Sequence, residues 1–251
     1  MPLRLLTALP VYNEASYVHG VLEQVRRYSP EILVVNDGST DGTAQALALE
    51  SGIHVVTHAK NQGYGAALRS AFQFALERDY DVLVTIDCDG QHQPELIPGM
   101  AAAVFPEGGE EWDIVSGSRY LQQFEGDSVP PADRLRVNRE VTQILNERLG
   151  LRLTDAFCGF KAYRVPVLRL MNVTNLGYAM PLQVWVQAAV QGLRITEFPV
   201  PLVYLDATRS FGGSLDDTNQ RLAHYREVID RELEAVHFPA LDASECASGC
   251  Q

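Results

Sequence analysis

The sequence predicts an α/β fold with a mostly parallel central sheet flanked by helices. Short apolar runs rich in β-branched residues recur through the first half of the chain, and turn residues bound each of them. Amphipathic stretches separate these runs, as expected for crossover helices that pack on the faces of a parallel sheet. Because no internal repeat and no linker divides the chain, we expect one domain over residues 1–236 and a flexible tail over residues 237–251.

The predicted elements alternate along the chain. The strands are short and bounded by turn residues, and they cover residues 3–9, 32–35, 53–57, 82–86, 113–117 and 194–200. The helices cover residues 15–28, 42–50, 64–78, 133–149, 180–191 and a last segment that ends near Val236. Two stretches rich in glycine, proline or polar residues are predicted loops, residues 122–132 and 206–217.

The composition is that of an acidic globular protein. Hydrophobic residues make up 46% of the 251 residues, which is enough for a substantial core. The formal net charge of -12 argues against a general nucleic-acid-binding protein, because such proteins need Lys and Arg to displace phosphate counterions. An acidic protein can still bind an anionic nucleotide where a metal ion or a local basic patch supplies positive charge.

Cysteine usage and the absence of long apolar runs favour an intracellular protein. Cys88, Cys158, Cys246 and Cys250 form no CxxC pair and no zinc-binding spacing, as is typical of a reduced setting. The N-terminus lacks the apolar core and the cleavage site of a signal peptide. The sequence contains no run of about 18 apolar residues, so we expect no transmembrane helix. We expect a cytoplasmic protein, and contact with the inner face of a membrane stays open.

Acidic and amide side chains follow three of the predicted strands. The segments are PVYNE at residues 10–14, NDGSTDG at residues 36–42 and DCDGQH at residues 87–92. In open parallel sheets, ligands bind beyond the carboxyl ends of the strands. We therefore expect these segments to meet at one edge of the sheet and to form the functional site.

Asp87 and Asp89 form the most informative of these patterns. A turn at Gly90 can bring both carboxylates round one ion, and Mg²⁺ or Mn²⁺ bridges such oxygen ligands to substrate phosphates. The same spacing also occurs on ordinary protein surfaces. Its position after the apolar VLVTI run favours a metal site.

The NDGSTDG segment has a structural and a functional interpretation. Its residue types form turns, and Thr40 or Asp41 can cap the helix that follows. Asp37 lies at the tip of the preceding strand, where its carboxylate can accept hydrogen bonds from a nucleotide base or ribose.

Six ordered segments of the chain resemble family 2 glycosyltransferases, which have the GT-A fold. The segments are ALPVYNEA, VVNDGSTDGT, NQGYGAALRSAF, TIDCDGQH, VSGSRY and DAFCGFKAYR. The resemblance extends from about Leu5 to Arg209, and it is strongest to dolichol-phosphate mannose synthases and related polyprenyl-phosphate glycosyltransferases. It implies an inverting, Mg²⁺- or Mn²⁺-dependent transfer from a nucleotide-diphosphate sugar. GDP-mannose is favoured over a UDP-sugar as the donor, and a polyprenyl phosphate is one candidate acceptor.

The resemblance also implies roles for matching residues. Pro10, Tyr12, Glu14 and Asp37 would line the nucleotide pocket. Asp87 would approach the ribose or the metal, and Asp89 and Gln91 would complete the metal site. Arg119 would lie near phosphate groups, and Asp155 would lie beside the acceptor.

Asp155 has two possible roles. A hydroxyl acceptor needs a general base to remove its proton, whereas a phosphate acceptor is already an anion and needs none. Asp155 is therefore either that base or a residue that orients Arg119 or Lys161.

Further arginines are candidates for binding phosphate. Arg134 and Arg139 lie on a predicted helix and could bind an acceptor phosphate, or they could pair with Glu140 and Glu147 on a solvated face. The solvated face is the favoured interpretation for Arg136 and Arg148. Arg209 lies in a segment that resembles the family's donor-covering loop, in which Ser214 replaces a frequent Lys.

Two other functions are compatible with the sequence. The first is a nucleotide-sugar-binding regulatory relative that does not turn over substrate, which the change at Ser214 and the lack of a membrane anchor keep open. The second is a nicotinamide-dependent enzyme. It is disfavoured because the segment that begins at Gly63 lacks the third glycine of a dinucleotide fingerprint.

Overall fold

A seven-stranded sheet forms the centre of the protein. The computed structural model describes residues 3–205 and 213–236. The strands are β1 (Leu5–Val11), β2 (Ile32–Asn36), β3 (His54–Thr57), β4 (Val82–Thr85), β5 (Ile114–Ser118), β6 (Lys161–Arg164) and β7 (Ile195–Pro199). Their order in the sheet is β3-β2-β1-β4-β6-β5-β7, and β6 alone runs antiparallel to its neighbours.

Helices cover both faces of this sheet. They are α1 (Val18–Val25), α2 (Thr43–Ala48), α3 (Tyr64–Glu77), α4 (Ile97–Val104), α5 (Ala132–Leu149), α6 (Met180–Val190) and α7 (Thr218–Val236). Alternate residues of β1 enter two different cores, because successive side chains of a strand point to opposite faces. Leu6 packs into the core with α3, α5, α6 and α7, whereas Leu9 packs into the core with α1 and α4. The predicted mostly parallel sheet with flanking helices is confirmed.

The structure contains each predicted strand and helix, with bounds that differ by a few residues. One strand and one α-helix were not predicted, β6 and α4. β6 has only four residues, KAYR, and it lies within a segment that carries no long apolar run. The predicted loop 122–132 is irregular as far as residue 131, where α5 follows. Of the second predicted loop, Gly213–Asp216 forms a 3₁₀ turn, and residues 206–212 lie outside the described residues.

The antiparallel direction of β6 has a direct consequence for the site. Parallel strands β1, β2 and β4 end at the same edge, as their register shows by pairing Val11 with Asn36 and Ala8 with Thr85. β6 begins at this edge, because Lys161 pairs with Thr85 at the end of β4. The segment that precedes β6 therefore lies beside the residues that follow β4. Within residues 3–205 and 213–236, no helix has the length and apolar composition needed to cross a bilayer.

Candidate active site

A cavity of about 500 Å³ opens at the carboxyl edge of the sheet. It brings together residues from the ends of β1, β2, β4 and β5 and from helix α5. The predicted site residues that line it are Pro10, Tyr12, Glu14, Asp37, Asp87, Asp89, Gln91, Arg119 and Arg134. The strand-end rule thus located residues that meet in three dimensions.

Side-chain hydrogen bonds join the loops that follow β1 and β2. Asn13 adopts a left-handed backbone conformation, with φ of 57°. Its backbone N–H donates to Ser39 Oγ at 3.0 Å, and its side-chain oxygen accepts from the backbone N–H of Thr40 at 2.8 Å. Asp41 Oδ1 accepts from the backbone N–H of Thr43, the first residue of α2, at 2.9 Å. The N-cap of α2 is Gly42, without a side-chain cap, so Asp41 contacts the start of the helix from the preceding position and Thr40 binds the neighbouring loop.

Asp87 is held from two sides at the end of β4. Its Oδ1 lies 3.3 Å from the hydroxyl of Tyr64, and its Oδ2 lies 3.3 Å from Nε2 of His92. Burial tends to raise the pKa of Asp87, but the hydrogen bond and charge of His92, together with the charge of Lys161, outweigh it, so this pKa lies below its ordinary value. The carboxylate is therefore ionised at neutral pH.

Gly159 leaves the space that this carboxylate occupies. A Cβ atom at position 159 would stand 2.3 Å from Oδ2 of Asp87, closer than any side-chain contact allows. Gly159 belongs to the segment that precedes β6, which reaches the site because β6 is antiparallel. A residue with a side chain here would displace Asp87 from the cavity wall.

The residues at this edge fit a hard divalent cation. Asp87, Asp89 and Gln91 line one cavity, and each can offer a side-chain oxygen as a metal ligand. Nε2 of Gln91 donates a hydrogen bond to Oδ2 of Asp89 at 2.5 Å. Within the described residues, no group of three or more His, Cys, Asp or Glu side chains is arranged to hold a metal. Mg²⁺ matches such a sparse set, because it is usually bound by one or two carboxylates together with substrate phosphates and water.

Arg119 and Asp155 form an ion pair at the edge of the same cavity. Nε of Arg119 donates to Oδ2 of Asp155 at 2.7 Å, and its Nη2 donates to Oδ1 at 3.0 Å. Asn138 Nδ2 adds a bond to Oδ1 at 2.7 Å, and the backbone N–H of Phe157 adds another at 3.1 Å. The side chain of Asp155 is fully buried, whereas Arg119 lines the cavity. Asp155 thus fixes the plane of a guanidinium group that lines the cavity.

This arrangement favours the orienting role of Asp155 over the role of a base. Burial alone would raise the pKa of Asp155, but the charge and hydrogen bonds of Arg119, together with the hydrogen bond from Asn138, hold it well below its usual range. A carboxylate with so low a pKa is a weak proton acceptor, and its oxygens already accept hydrogen bonds from protein donors. Lys161, the other candidate for orientation, instead donates to the carbonyl oxygen of Cys158.

The remaining arginines divide between cavity and solvent. Arg134 lines the cavity, where its guanidinium carbon lies 5.8 Å from the ring centroid of Tyr204. Arg139 is exposed and does not line the cavity. Arg136 pairs with Glu140 at 2.7 Å, as the solvated-face interpretation predicts.

The predicted pairing with Glu147 is replaced by other contacts. Arg148 pairs with Asp230 of α7, and Glu147 accepts a hydrogen bond from Gln143. Because α5 packs against α7, its basic side chains reach partners on that helix. Arg209 lies outside the described residues.

Comparisons with known proteins identify the family of the chain. The family model described as glycosyl transferase family 2 matches residues 7–170. The chain belongs to glycosyltransferase family 2. Undecaprenyl-phosphate mannosyltransferase of Micrococcus luteus is 35% identical to this glycosyltransferase over 211 residues, which cover 80% of this chain and 84% of the relative. Polyprenol monophosphomannose synthase of Mycolicibacterium smegmatis is 34% identical over 249 residues, which cover 93% and 91% of the two chains.

This family 2 glycosyltransferase has the GT-A fold, as the sequence predicted. Glucosyl-3-phosphoglycerate synthase from Mycobacterium tuberculosis matches it with a TM-score of 0.67 at 20% identity, covering 95% of this chain and 81% of that one. At this identity the likeness supports the fold alone.

Several cavity residues of the glycosyltransferase were not predicted from the sequence. They are mostly aromatic and come from segments outside the strand ends, and they include Tyr64, Phe157, Tyr178, Tyr204, Arg221 and Tyr225. Arg221 and Tyr225 are four residues apart, so their spacing places them on one face of α7. The sequence does not reveal that this face meets the cavity, because the position of α7 depends on its packing against α5 and α6.

Proposed function

We propose that this glycosyltransferase transfers a sugar, with inversion, from a nucleoside-diphosphate donor to a polyprenyl phosphate. The relative from Micrococcus luteus is named as an undecaprenyl-phosphate mannosyltransferase, and the relative from Mycolicibacterium smegmatis as a polyprenol monophosphomannose synthase. The observation that carries the proposal is the engagement of Asp155 by Arg119. A site without a base at this position suits an acceptor that is already an anion.

GDP-mannose is our proposed donor, because both of these relatives are named for mannose transfer. A UDP-sugar is the alternative. The segments that line the nucleotide side of the cavity include Tyr12, Glu14 and Asp37. These residues come from two loops that are joined to each other by hydrogen bonds of Asn13 with Ser39 and Thr40.

Asp87 and Asp89, with the amide oxygen of Gln91, would hold Mg²⁺ or Mn²⁺. When bound, the ion would neutralise the negative charge that develops on the departing nucleoside diphosphate. His92 and Tyr64 hold the carboxylate of Asp87 in place from the protein side. These contacts fix the ligand geometry, as partners of metal-binding side chains commonly do.

The reaction is a single displacement. An oxygen of the acceptor phosphate attacks the anomeric carbon, and the bond between that carbon and the diphosphate oxygen breaks with its electron pair moving to the diphosphate. Arg119, whose orientation is fixed by Asp155, binds phosphate oxygens through its planar group. Because the acceptor loses no proton, the step needs no general base. A lipid-linked acceptor also implies that the protein works at a membrane surface.

The test is transfer of mannose from GDP-mannose to a short polyprenyl phosphate with Mg²⁺, Mn²⁺ or EDTA. Asp89→Asn removes one anionic ligand at nearly constant volume, and we expect its kcat to fall by about 100-fold or more, because the metal contributes several kcal/mol to transition-state stabilisation. The matched control is Glu95→Gln, an exposed carboxyl six residues further along that does not line the cavity, and its activity should equal that of the wild type.

Retained activity in Asp89→Asn would contradict the metal role. Tight binding of GDP-mannose by the wild type without transfer to polyprenyl phosphates or hydroxyl acceptors would instead support a regulatory, non-catalytic protein. Transfer from UDP-glucose in preference to GDP-mannose would replace the proposed donor and leave the chemistry unchanged.

A further inference from the structure

A buried chain of hydrogen bonds joins Asp37, at the nucleotide side of the cavity, to helix α3. Oδ1 of Asp37 lies 2.6 Å from Nδ1 of His58, and Nε2 of His58 lies 2.8 Å from Oγ of Ser70. The side chains of His58 and Asp37 are 10% and 4% exposed, so solvent does not compete for these bonds. His58 follows β3, and Ser70 lies in the middle of α3. These two hydrogen bonds of His58 therefore join the residues that follow β2 and β3 to helix α3.

The same carboxylate also binds the loop that precedes α3. Oδ1 accepts from the backbone N–H of Gln62 at 3.0 Å, and Oδ2 accepts from the backbone N–H of Gly63 at 2.7 Å. Gly38, next to Asp37, packs directly on this loop, since a Cβ there would stand 2.2 Å from the carbonyl carbon of Lys60. The loop at residues 60–63 is thus fastened to the end of β2 by backbone packing and by Asp37.

The number of acceptor sites limits what Asp37 can offer a ligand. An ionised carboxylate has about four acceptor positions. His58 and Gln62 use two on Oδ1, and Gly63 uses one on Oδ2. One position on Oδ2 is left for a base or ribose donor. The orientation of the carboxylate therefore decides where that single hydrogen bond can form.

His58 and Ser70 do not line the cavity, whereas Asp37, Asn61 and Gly63 do. The order Asp, His, Ser repeats that of a hydrolytic triad, but Oγ of Ser70 is not presented to the cavity as a nucleophile would be. Any influence of His58 on a ligand must pass through Asp37 and the loop it fastens.

We infer that His58 is a positioning residue for the nucleoside half of the donor. It holds the carboxylate of Asp37 so that Oδ2 accepts one hydrogen bond from the base or ribose, and it has no role toward the diphosphate. This inference rests on the proposed function, since it names the part of the donor that His58 serves.

The experiment is calorimetric titration of the full-length protein with GDP and, separately, with inorganic pyrophosphate, both in Mg²⁺. For His58→Phe, which keeps a ring but donates no hydrogen bond to Asp37, we expect the Kd for GDP to rise about 10- to 100-fold. The Kd for pyrophosphate, which has no base and no ribose, should not change. In transfer assays the KM for the donor should rise while kcat changes little. His58→Asn, whose amide nitrogen can take the place of Nδ1, should restore most of the GDP affinity.

His54→Phe is the matched control. His54 lies on β3, pairs with Glu31 at 3.2 Å, and does not line the cavity, so neither affinity should change. Thermal unfolding of each variant checks that the fold is intact. If His58→Phe does not fold, the same titrations are made with Ser70→Ala, in which the imidazole of His58 loses its hydrogen bond to Ser70. The inference then requires weaker GDP binding with unchanged pyrophosphate binding.

Equal GDP affinities of the wild type and His58→Phe would overturn the role of His58 and leave the proposed function intact. An equal loss of GDP and pyrophosphate affinity would also overturn it, because that result means a general loss of structure. A wild type that binds pyrophosphate but no nucleoside diphosphate would overturn both this inference and the proposed function.

Discussion

At the scale of single residues, charged side chains of opposite sign lie close together at the cavity. Asp87 and Arg119 line the cavity, and Asp155 and Lys161 are buried near them. Burial lowers the pKa of Lys161, and the negative charges of its neighbours, including Asp155 and Asp87, act against that lowering. Each buried charge thus has an opposite charge nearby, which is the condition under which burial is tolerated. Removing one of these four charged side chains should therefore also destabilise the opposite charges that remain.

The stability of the Arg119–Asp155 pair should depend on pH. Because the pKa of Asp155 lies well below its value in the unfolded chain, about 3.9, the unfolded chain takes up the proton first as pH falls. The pair contributes fully above about pH 5, and its contribution is lost as pH falls below about 4. Asp155→Asn leaves the partly buried Arg119 without its counter-charge, so we expect its free energy of unfolding at pH 7 to be about 3 kcal/mol lower than that of the wild type.

Urea unfolding of both proteins between pH 7 and pH 3 checks this prediction. The difference in the free energy of unfolding should shrink as the pH is lowered. The control is Glu140→Gln, which removes the charge from two surface pairs, with Arg136 and with Arg226, and should cost about 1 kcal/mol or less. A difference between wild type and Asp155→Asn that stays constant with pH would show that Asp155 stabilises the fold by packing and not by its charge.

At the scale of elements, periodicity predicted the strands and helices, and the ends of parallel strands predicted the acidic side of the site. Asp37 and Asp87 could be located in this way because β2 and β4 are parallel and apolar. The position of Gly159 could not, because it depends on the antiparallel pairing of β6, which has no apolar run to mark it. The resemblance to a family drew attention to that segment, but the contact between Gly159 and Asp87 appears only in the fold.

The glycines before and within α3 are required by close packing against the segment before α6. The N–H of Gly65 donates to the carbonyl oxygen of Leu176 at 2.8 Å, and a Cβ at Gly65 would stand 2.2 Å from the carbonyl oxygen of Asn175. Because both partners are backbone atoms, Gly65→Ala must push α3 away from the segment before α6. We expect the free energy of unfolding to fall by about 1–3 kcal/mol.

Gly20→Ala is the control for this substitution, and its effect should have the opposite sign. Gly20 lies inside α1 and is exposed, and a Cβ atom added there would have open space around it to a distance of 4 Å. Alanine here should raise the free energy of unfolding by about 0.5–1 kcal/mol, because it restricts the unfolded chain and suits a helix. Chemical denaturation measures both variants, and a neutral Gly65→Ala would show that α3 can shift at little cost.

At the scale of the whole molecule, the two halves of the chain supply different parts of the cavity. The family match ends at residue 170, and its acidic strand ends provide the side assigned to the diphosphate. The residues beyond it supply aromatic and basic groups from α7 and the segments around it, including Tyr178, Tyr204 and Arg221. In a protein of net charge -12, Arg119, Arg134 and Arg221 concentrate positive charge at the cavity, where the proposed anionic acceptor would bind.

This local charge should distinguish two arginines of α5 from each other. Arg134 lines the cavity, and Arg136, two residues on, is exposed and pairs with Glu140. If Arg134 binds the acceptor phosphate, Arg134→Gln should raise the KM for a polyprenyl phosphate about tenfold or more and leave the KM for the donor nearly unchanged. Arg136→Gln removes the same charge from the same helix outside the cavity and should change neither. Steady-state transfer assays with one substrate varied at a time give both values, and an equal rise in the two KM values for Arg134→Gln would place this arginine on the donor diphosphate.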